Sequence, residues 1–328
     1  MMDGKTILVT GGTGSFGKRF TRRVLERYQP KKLIIFSRDE YKQFKMAQEF
    51  PQEKYPCMRY FIGDVRDRDR LDLAFQGVDY VIHAAALKHV PICEYNPFEA
   101  IKTNVIGAEN VIRAAIRNQV ERVVALSTDK AASPVNLYGA TKLCSDKLFL
   151  AAGAFSRQRR PRFCVVRYGN VMGSRGSVVP LFLKLKGTGC LPVTDRRMTR
   201  FSITLDQGVE FVLQCLQIMQ GSEIFVPKLP SYRITDVVEA IAPGARIQEI
   251  GIRPGEKLHE LMIPIDEARN TREFKTFYVI KPSWNGREEY QGDKGLPCPD
   301  DFQYSSGTNT EWLTVEQIRD LTSEVEAD

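Results

Sequence analysis

Short apolar runs alternate with longer amphipathic segments over residues 1–170. The runs that predict buried strands are Thr6–Thr10, Lys32–Phe36, Met58–Ile62, Tyr80–His83, Arg122–Ser127 and Phe163–Arg167. The segments whose apolar spacing predicts helices lie near 15–28, 40–49, 67–75, 97–118 and 136–152. Because the strands show little polar alternation and are separated by helices, we expect a parallel sheet covered on both faces. Right-handed crossovers make this an α/β fold with a Rossmann-type doubly wound parallel sheet, which binds ligands at the carboxyl ends of its strands.

The regular alternation ends near residue 170. The elements predicted beyond it are helices over Pro180–Lys186, Leu205–Gln220 and Ile234–Ala242, a strand over Glu223–Val226, and a last helix from Thr314. We therefore expect a larger domain over 1–170. Residues 171–328 are expected to form mainly a smaller lobe, from which the chain crosses back to the sheet.

Charge and cysteine usage narrow the class of protein. The net charge of +7 comes from 47 Lys and Arg against 40 Asp and Glu, which suits an anionic ligand. No block of five or more like charges occurs, so we do not expect a nucleic-acid partner. The seven cysteines are scattered without a C-x-x-C pair, which predicts free thiols in a reducing cytoplasm. We expect no metal site, because the three histidines form no ligand pattern, and no membrane span, because no apolar stretch approaches about 20 residues.

A glycine-rich loop joins the first predicted strand to the first predicted helix. Gly11, Gly14 and Gly17 give a G-x-x-G-x-x-G spacing, which permits a tight turn and a close approach of a pyrophosphate to the backbone. The helix that begins there offers unpaired amides to phosphate groups. The sequence thus predicts a nucleotide site whose loop residues are Gly11, Thr13, Gly14, Ser15, Phe16 and Gly17.

The residues after the second strand bear on which nucleotide binds. Ser37 and Arg38 stand where an NAD-selective site usually presents an acid to the ribose. A hydroxyl and a guanidinium there favour the 2′-phosphate of NADP. Asp39 follows at once, so NAD stays open as the alternative.

Two further pairs follow the third and fourth strands. Asp64 and Val65 are expected beside the adenine ring, and Ala84 and Ala85 have small side chains that leave room for a cofactor. Plain core packing is the alternative reading of the two alanines.

The candidate chemistry lies between residues 128 and 142. Tyr138 and Lys142 are four apart in a predicted helix, so their side chains share one face. Thr128, Asp129 and Lys130 follow the fifth predicted strand at its carboxyl end. A free phenol has a pKa of about 10, so Tyr138 needs a nearby cation to act at neutral pH, and Lys142 is the expected one.

Seven strings carry a resemblance over essentially the whole chain. They are T-G-G-T-G-S-F-G at 10–17, G-D-V-R-D at 63–67, L-S-T-D-K-A at 126–131, N-L-Y-G-A-T-K at 136–142, R-Y-G-N-V-M-G-S-R-G-S-V-V-P at 167–180, M-T-R-F at 198–201 and R-P-G-E-K at 253–257. With these strings the chain resembles an extended short-chain dehydrogenase/reductase, and more narrowly the inverting UDP-N-acetylglucosamine 4,6-dehydratases. Dehydratases that retain C5 carry an Asp-Glu pair in place of Asp129-Lys130, and long membrane-anchored relatives carry Met in place of Tyr138.

The resemblance implies a hydro-lyase that converts UDP-N-acetylglucosamine to UDP-2-acetamido-2,6-dideoxy-β-L-arabino-hex-4-ulose, the first step toward pseudaminic acid. It implies NADP that stays tightly bound and is recycled in each turnover. Tyr138 would take the C4 hydroxyl proton, with Thr128 near O4 and Lys142 on the nicotinamide ribose. Lys130 is the implied base at C5 and Asp129 the implied proton donor to the leaving C6 hydroxyl. Whether Lys130 can lose its proton is open, because Lys142 would favour the loss and Asp129 would oppose it.

The resemblance also implies a substrate site, in which residues 1–170 bind the cofactor and the later lobe binds the sugar nucleotide. Its implied members are Lys88, Lys130 and Tyr138 around the sugar, Asn170 and Val171 in the sugar-diphosphate loop, Arg200 and Arg253 on the diphosphate, and Glu256 on the uridine ribose. A homo-oligomer, either a dimer or a hexamer, is implied as well.

Two other functions fit the same residues. A UDP-sugar 4-epimerase or reductase of this fold would use Tyr138 and Lys142 without eliminating water, although Asp129-Lys130 argues against it. A non-catalytic NADP-binding sensor is the alternative from another class, and the complete Tyr138–Lys142 pair argues against that.

Overall fold

A computed structural model describes residues 1–155, 160–173, 178–282 and 295–323 of the chain. The strands are β1 Thr6–Thr10, β2 Lys32–Ser37, β3 Met58–Ile62, β4 Tyr80–His83, β5 Arg122–Leu126, β6 Arg162–Val166, β7 Cys190–Val193, β8 Thr199–Phe201, β9 Glu223–Pro227, β10 Ser231–Arg233, β11 Arg246–Glu249, β12 Leu261–Ile263, β13 Thr271–Glu273, β14 Phe277–Ile280, β15 Leu296–Pro297 and β16 Tyr304–Ser305. The α-helices are α1 Ser15–Arg27, α2 Glu40–Glu49, α3 Arg68–Ala74, α4 Val90–Tyr95, α5 Pro97–Ile101, α6 Gly107–Arg117, α7 Leu137–Phe155, α8 Val178–Leu185, α9 Leu205–Ile218, α10 Ile234–Ile241, α11 Ile265–Ala268 and α12 Val315–Ser323.

One large sheet organises the fold. It has ten strands in the order β15-β13-β14-β9-β6-β5-β4-β1-β2-β3. The strands from β9 to β3 in this order pair in parallel, and β14, β13 and β15 extend the sheet antiparallel. The strand order runs outward in both directions from β1 and β4, which is the doubly wound pattern. The predicted Rossmann-type α/β fold is confirmed.

The parallel strands are buried on both faces, as their composition requires. All five residues of β1 and all four of β4 are buried. A strand covered by helices on both sides reads as a continuous apolar run, because no position meets water. Thr10 pairs with His83 at the carboxyl ends of β1 and β4. The chain order of the strands reverses between these two, and doubly wound sheets generally bind their ligands in a crevice outside such a reversal.

The later half of the chain adds strands to the large sheet and also forms a second hydrophobic core. Strands β9, β13, β14 and β15 join the large sheet, so the chain does cross back to it. A second and smaller hydrophobic core lies apart from the sheet, and its members include Phe182 of α8, Leu191 of β7, Val237 of α10 and Ile318 of α12. The boundary at residue 170 and the substrate-binding assignment of the later lobe stay predictions.

Several elements differ from the sequence-based expectation. The single helix predicted over 97–118 is α5 and α6 joined by a π-helix at Lys102–Ile106. Helices α4 and α11 and strands β7, β8 and β10 to β16 were not predicted, because none is longer than six residues. The predicted strands reaching Ser127 and Arg167 end one residue earlier. That boundary leaves both polar side chains just beyond the sheet, at the edge where the candidate site lies.

Candidate functional site

The β1–α1 loop is built so tightly that Gly11 and Gly17 leave no room for a side chain. Gly11 has φ of +66°, and a Cβ there would lie 2.9 Å from the backbone of Ala85. A Cβ on Gly17 would lie 2.2 Å from the carbonyl oxygen of Gly12. The first contact draws the loop against the chain after β4, and the second packs α1 on the loop. Both are the close approaches that a dinucleotide-binding turn needs.

The amino terminus of α1 is left open for an anion. Its N-cap is Gly14, no side chain caps the helix, and no acidic residue lies in the first turn. Gly14 and Ser15 are exposed, whereas Thr13 and Gly17 are buried. Among the described residues, neither a side-chain cap nor an acid in the first turn neutralises the positive end of this thirteen-residue helix. This arrangement fits a pyrophosphate.

The residues after β2 divide into two roles. The Ser37 hydroxyl lies 2.9 Å from the Thr13 hydroxyl, which ties β2 to the loop. Asp39 accepts a hydrogen bond from the Lys42 backbone at 3.0 Å and caps α2. That contact lowers the pKa of the Asp39 carboxyl. Arg38 is exposed, 3.7 Å from the Asp64 carboxylate. The acid is thus committed to a helix cap, and the guanidinium is available to a ligand.

Asp64 and Val65 are fixed by neighbouring side chains. Burial would raise the pKa of Asp64, but hydrogen bonds from Arg66 outweigh it and hold that pKa low. Val65 is buried, and its carbonyl accepts from the Asn110 amide at 3.1 Å. Ala84 and Ala85 are partly exposed after β4, and the backbone of Ala85 lies against Gly11 of the glycine loop. Asp64 and Val65 lie after β3, at the same edge of the sheet.

A short 3₁₀ turn after β5 carries the first half of the predicted catalytic set. The Thr128 hydroxyl donates to Asp129 Oδ1 at 2.9 Å, and Lys130 Nζ donates to the same oxygen at 3.1 Å. Lys130 Nζ also lies 3.3 Å from Asn170 Oδ1. The Asp129 side chain is fully buried, while that of Lys130 keeps 24% of its surface exposed. Lys130 is therefore the accessible member of this pair.

Helix α7 carries the second half. Lys142 is buried, and its Nζ donates to the Leu126 carbonyl at 2.7 Å. Tyr138 is half-buried one turn earlier. Burial raises the pKa of Tyr138 to about 12, although the charge of Lys130 and a hydrogen bond with Thr128 act to lower it. Thr128, Lys130 and Tyr138 therefore share one pocket. The expected action of Lys142 on the phenol stays a prediction.

Burial also sets the state of the residues behind the helix. Burial lowers the pKa of Lys142, and Asp146, one turn further along α7, acts to raise it. Asp146 Oδ2 accepts from the Ser127 hydroxyl at 2.8 Å and lies 3.5 Å from Arg167 Nη2. Arg167 is itself fully buried and donates to Glu267 at 2.7 Å. This chain of charges runs from Lys142 into the core.

Glu260 brings an unpredicted carboxylate to the site. Its Oε1 lies 3.4 Å from Lys130 Nζ and 3.5 Å from Arg200 Nε. Burial would lower the pKa of Lys130, but Asp129 and Glu260 together outweigh it and raise that pKa. Burial and the charge of Glu260 raise the pKa of Asp129. The sequence left open whether Lys130 can lose its proton. The raised pKa favours a Lys130 that keeps its proton.

The predicted substrate residues fall into two groups. Asn170 and Arg200 lie against the Lys130 cluster, and Arg200 Nη1 donates to the carbonyls of Thr199 and Leu258 at 2.7 and 3.1 Å. Val171 forms a bridge to Ile203 next to Asn170. The string at 167–180 continues through residues 174–177, which lie outside the described residues.

The second group lies nearer the solvent. Arg253 is exposed, and Glu256 is half-buried in a loop that the Asn136 amide holds through the Gly255 carbonyl at 2.8 Å. Lys88 is also exposed, in a segment whose neighbour Leu87 is bonded by the buried Asn104 at 2.8 Å. The loop that contains Arg253 and Glu256 therefore lies beside the start of α7, because Asn136 immediately precedes that helix. The roles of these residues stay predictions.

Sequence reasoning missed four polar residues that complete the site. Asp146 lies four positions after Lys142 on the same helix face, so its spacing could have revealed it. His83 donates to or accepts from Thr10 at 2.8 Å beside the glycine loop. Arg167 and Glu260 carry no local signal, since their partners are distant along the chain.

The described residues hold no group of three or more His, Cys, Asp or Glu side chains that could bind a metal. None of the helices among these residues has the length and apolar character needed to cross a membrane. All seven cysteines are free thiols.

The family of the chain follows from its matches to known proteins. A family model described as polysaccharide biosynthesis protein matches residues 7–282. The chain is 54% identical to a protein of Campylobacter jejuni (strain 81-176) named UDP-N-acetylglucosamine 4,6-dehydratase (inverting), with 99% of each covered. The chain belongs to the polysaccharide biosynthesis protein family that includes this relative.

Other matches agree on the fold and widen the range of activities. The X-ray structure of Pen from Bacillus thuringiensis superposes with a TM-score of 0.88 at 38% identity, over 98% of this chain and 97% of that one. A Rickettsia bellii protein named UDP-glucose 4-epimerase is 40% identical over 97% of this chain and 95% of its own length. The family resemblance predicted from the seven strings is confirmed.

Proposed function

We propose that the protein is a UDP-N-acetylglucosamine 4,6-dehydratase that inverts C5 and supplies the first intermediate of pseudaminic acid synthesis. The observation that carries this proposal is the Asp129–Lys130 pair beside Tyr138. A hydride-transfer enzyme needs a Tyr138–Lys142 pair, but it has no use for a second acid and base. Eliminating water requires both, one at C5 and one at C6. The 54% identity to the Campylobacter jejuni protein of this name supports the same assignment.

The crevice fits a dinucleotide, and we propose NADP. Gly11 and Gly17 allow the pyrophosphate to approach the backbone, and the uncapped start of α1 supplies amides and positive potential. Arg38 is 56% exposed and only loosely paired with Asp64 at 3.7 Å, so it would be able to meet a 2′-phosphate, and Asp39 is engaged in capping α2. NADP held by these residues would supply a reversible hydride acceptor, so the reaction would need no external oxidant.

The protein's own residues would move the protons. Tyr138 would take the proton of the C4 hydroxyl, with Thr128 within hydrogen-bonding reach of the phenol to hold O4. A 4-ketone acidifies the C5 proton. Lys130, the partly exposed member of the Asp129–Lys130 pair, would exchange a proton at C5, and the buried Asp129 would donate toward the C6 hydroxyl through its contact with Lys130.

Product mass gives the direct test. Purified protein is incubated with UDP-N-acetylglucosamine, with and without added NADP, and the product is followed by mass spectrometry. We expect a sugar nucleotide lighter by one water and, in deuterated solvent, deuterium at C5. The NMR coupling constants of the product then report the C5 configuration. A product of unchanged mass would contradict dehydration.

The role of Lys130 has its own test. Lys130→Ala is expected to keep cofactor binding and to stop the exchange of the C5 proton with solvent deuterium. Lys102→Ala is the matched control, since that side chain is 61% exposed on the π-helix and pairs with Glu99. Continued exchange at the parent rate in Lys130→Ala would remove Lys130 as the base.

A 4-epimerase is the second candidate, and the Rickettsia bellii relative is the observation that favours it. It would return UDP-N-acetylgalactosamine at unchanged mass. The same incubation therefore separates the two activities, and a protein that binds NADP but changes no UDP-sugar would instead fit the sensor.

We also propose that the chain forms a homo-oligomer through the α4–α5 surface. Ile92, Tyr95 and Phe98 there are exposed by 52%, 88% and 76%, which is unusual for large apolar side chains on a monomer. Phe98→Asp is expected to reduce the mass measured by light scattering, whereas Tyr41→Asp on α2 is not. An unchanged mass in Phe98→Asp would exclude this surface.

A further inference from the structure

Glu260 lies immediately before β12 and is 2% exposed. Its backbone N–H donates to Ser306 Oγ at 2.9 Å, which fixes the main chain there. Its Oε1 contacts Lys130 Nζ at 3.4 Å and Arg200 Nε at 3.5 Å. Its Oε2 is buried and has no hydrogen-bond partner among the residues that the structure describes. A buried carboxylate with a free oxygen is costly, so a role other than packing is indicated.

Asp129 mirrors this arrangement on the other side of Lys130. Its Oδ1 accepts from Lys130 Nζ at 3.1 Å, and its side chain has no exposed surface. Its Oδ2 is also buried without a hydrogen-bond partner in the described part of the chain. Lys130 therefore lies between two buried carboxylates that come from segments 131 residues apart. Two acids that share one cation cannot both be ionised as easily as either alone.

We propose that Glu260 is a positioning residue whose negative charge retains a proton on the Asp129–Lys130 pair. The effect of the Glu260 charge on the pair does not depend on which reaction the protein catalyses. The catalytic use of the retained proton rests on the proposed dehydration. Glu260 would not touch the substrate. It would act through Lys130, which is the exposed member of the three.

The other charges around Glu260 do not cancel this effect. Arg200 from β8 and Lys257 from the preceding loop favour an ionised Glu260, as does Lys130, and together they lower its pKa against the effect of burial. The ionised Glu260, after burial itself, raises the pKa of Asp129. The phenols of Tyr138 and Tyr232 also face the cluster, and burial raises the pKa of both to about 12, so neither adds a negative charge to the cluster in the substrate-free protein.

The retained proton has a defined use in the elimination. The pair donates it to the C6 hydroxyl, the C6–O bond breaks, and water leaves. The electron pair of the C5–H bond becomes the C5–C6 double bond, and the C5 proton passes to the pair. The pair thus ends the step with the number of protons it had at the start. Without Glu260 it would lose its proton at a lower pH and could not begin the step.

Glu260→Gln tests the coupling, because it removes the charge and keeps the shape. NMR of ¹³C-lysine-labelled protein follows the Lys130 signal, which is assigned by its loss in Lys130→Met. We expect the pKa of Lys130 to fall by about one pH unit or more in Glu260→Gln. We expect the alkaline limb of the dehydration rate to move to lower pH by a similar amount. Glu260→Asp, which keeps the charge, should recover at least half of each shift.

Ser306→Ala is the matched structural control. It removes the hydrogen bond that holds the Glu260 backbone, and it leaves every charge in place. We expect a lower melting temperature with no shift of the Lys130 titration or of the alkaline limb.

Three outcomes decide the proposal. An unchanged Lys130 titration in Glu260→Gln would overturn it, and so would an equal shift in Ser306→Ala. If the Lys130 titration shifts in Glu260→Gln but the parent protein dehydrates no UDP-sugar, the charge coupling is supported and the proposed function is refuted.

Discussion

The glycine loop after β1 and the charge cluster around Lys130 lie at the same edge of the sheet, yet they are built differently. The loop is made within eight residues, from Thr10 to Gly17, and its geometry depends on backbone contacts. The cluster joins Lys130, Arg200 and Glu260, which are 60 to 130 positions apart. The loop binds through amides and shape, whereas the cluster depends on the balance of buried charges.

This difference has a consequence for substitution. A side chain added at Gly11 or Gly17 would clash with backbone atoms. We therefore expect the stability of the protein and its affinity for the cofactor to fall together. A change in the cluster leaves the packing nearly intact and alters the protonation of its neighbours, so the pH dependence changes first. His83 connects the loop to helix α7, because it bonds Thr10 of β1 and lies near the charge of Lys142.

Tyr138→Phe is expected to have the largest effect on activity. Removing the hydroxyl takes away the proton acceptor at C4, and we expect the turnover number to fall by about 10³. The melting temperature should change little, because the ring remains. Turnover and thermal unfolding are measured together, with Tyr41→Phe, a 60% exposed residue, as the control. A large fall in the melting temperature of Tyr138→Phe would contradict the expectation that substitutions in this part of the site leave the packing nearly intact.

Gly17→Ala is expected to have the largest effect on stability. The added methyl would lie 2.2 Å from the Gly12 carbonyl oxygen, so the loop must move. We expect a loss of about 3 kcal/mol in the free energy of unfolding, together with weaker cofactor binding. Gly187→Ala is the control, since a Cβ there meets no atom within 4 Å. Equal unfolding curves for the two variants would show that the loop is not rigid.

The link at His83 predicts a pH dependence of stability. Burial, assisted by the charge of Lys142, lowers the pKa of His83 to about 3. The unfolded chain therefore binds more protons below pH of about 6.5, and folding free energy is lost as the pH falls from there. The slope from this residue is at most about 1.4 kcal/mol per pH unit. Urea unfolding at pH 7, 6 and 5 measures it.

His83→Gln should flatten that slope while keeping a hydrogen-bond partner for Thr10. His89→Gln, at an exposed position, should leave it unchanged. The same slope in His83→Gln as in the parent would mean that His83 is not held neutral.

Arg38→Gln is expected to have the smallest effect. Its guanidinium is 56% exposed, so a bond to a 2′-phosphate would be weakened by solvent. We expect the preference for NADP over NAD, measured as the ratio of dissociation constants by calorimetry, to fall about fivefold. Arg246→Gln on β11 is the control. An unchanged ratio would place the selectivity elsewhere.

The part of the fold that could be predicted is the part whose order is local. Strands β1 to β6 and helices α1, α2 and α7 were expected close to their observed bounds, since their apolar spacing is long enough to read. Strands β7, β8 and β10 to β16 were not, because runs of two to four residues carry no period of their own. Their partners, rather than their composition, hold them extended.

The sequence alone predicted the doubly wound parallel sheet, the glycine-rich loop after β1 and the presence of a phenol, an ammonium and an Asp-Lys pair at one edge. Each of these follows from residues that are neighbours along the chain. The tertiary structure alone decided that Asp39 caps α2, that Asp146 and Arg167 stand behind Lys142, and that Glu260 faces Lys130. Charges act through space, and burial strengthens their effect. The protonation of Lys130 therefore depends on Glu260, which no pattern in the neighbouring sequence predicts.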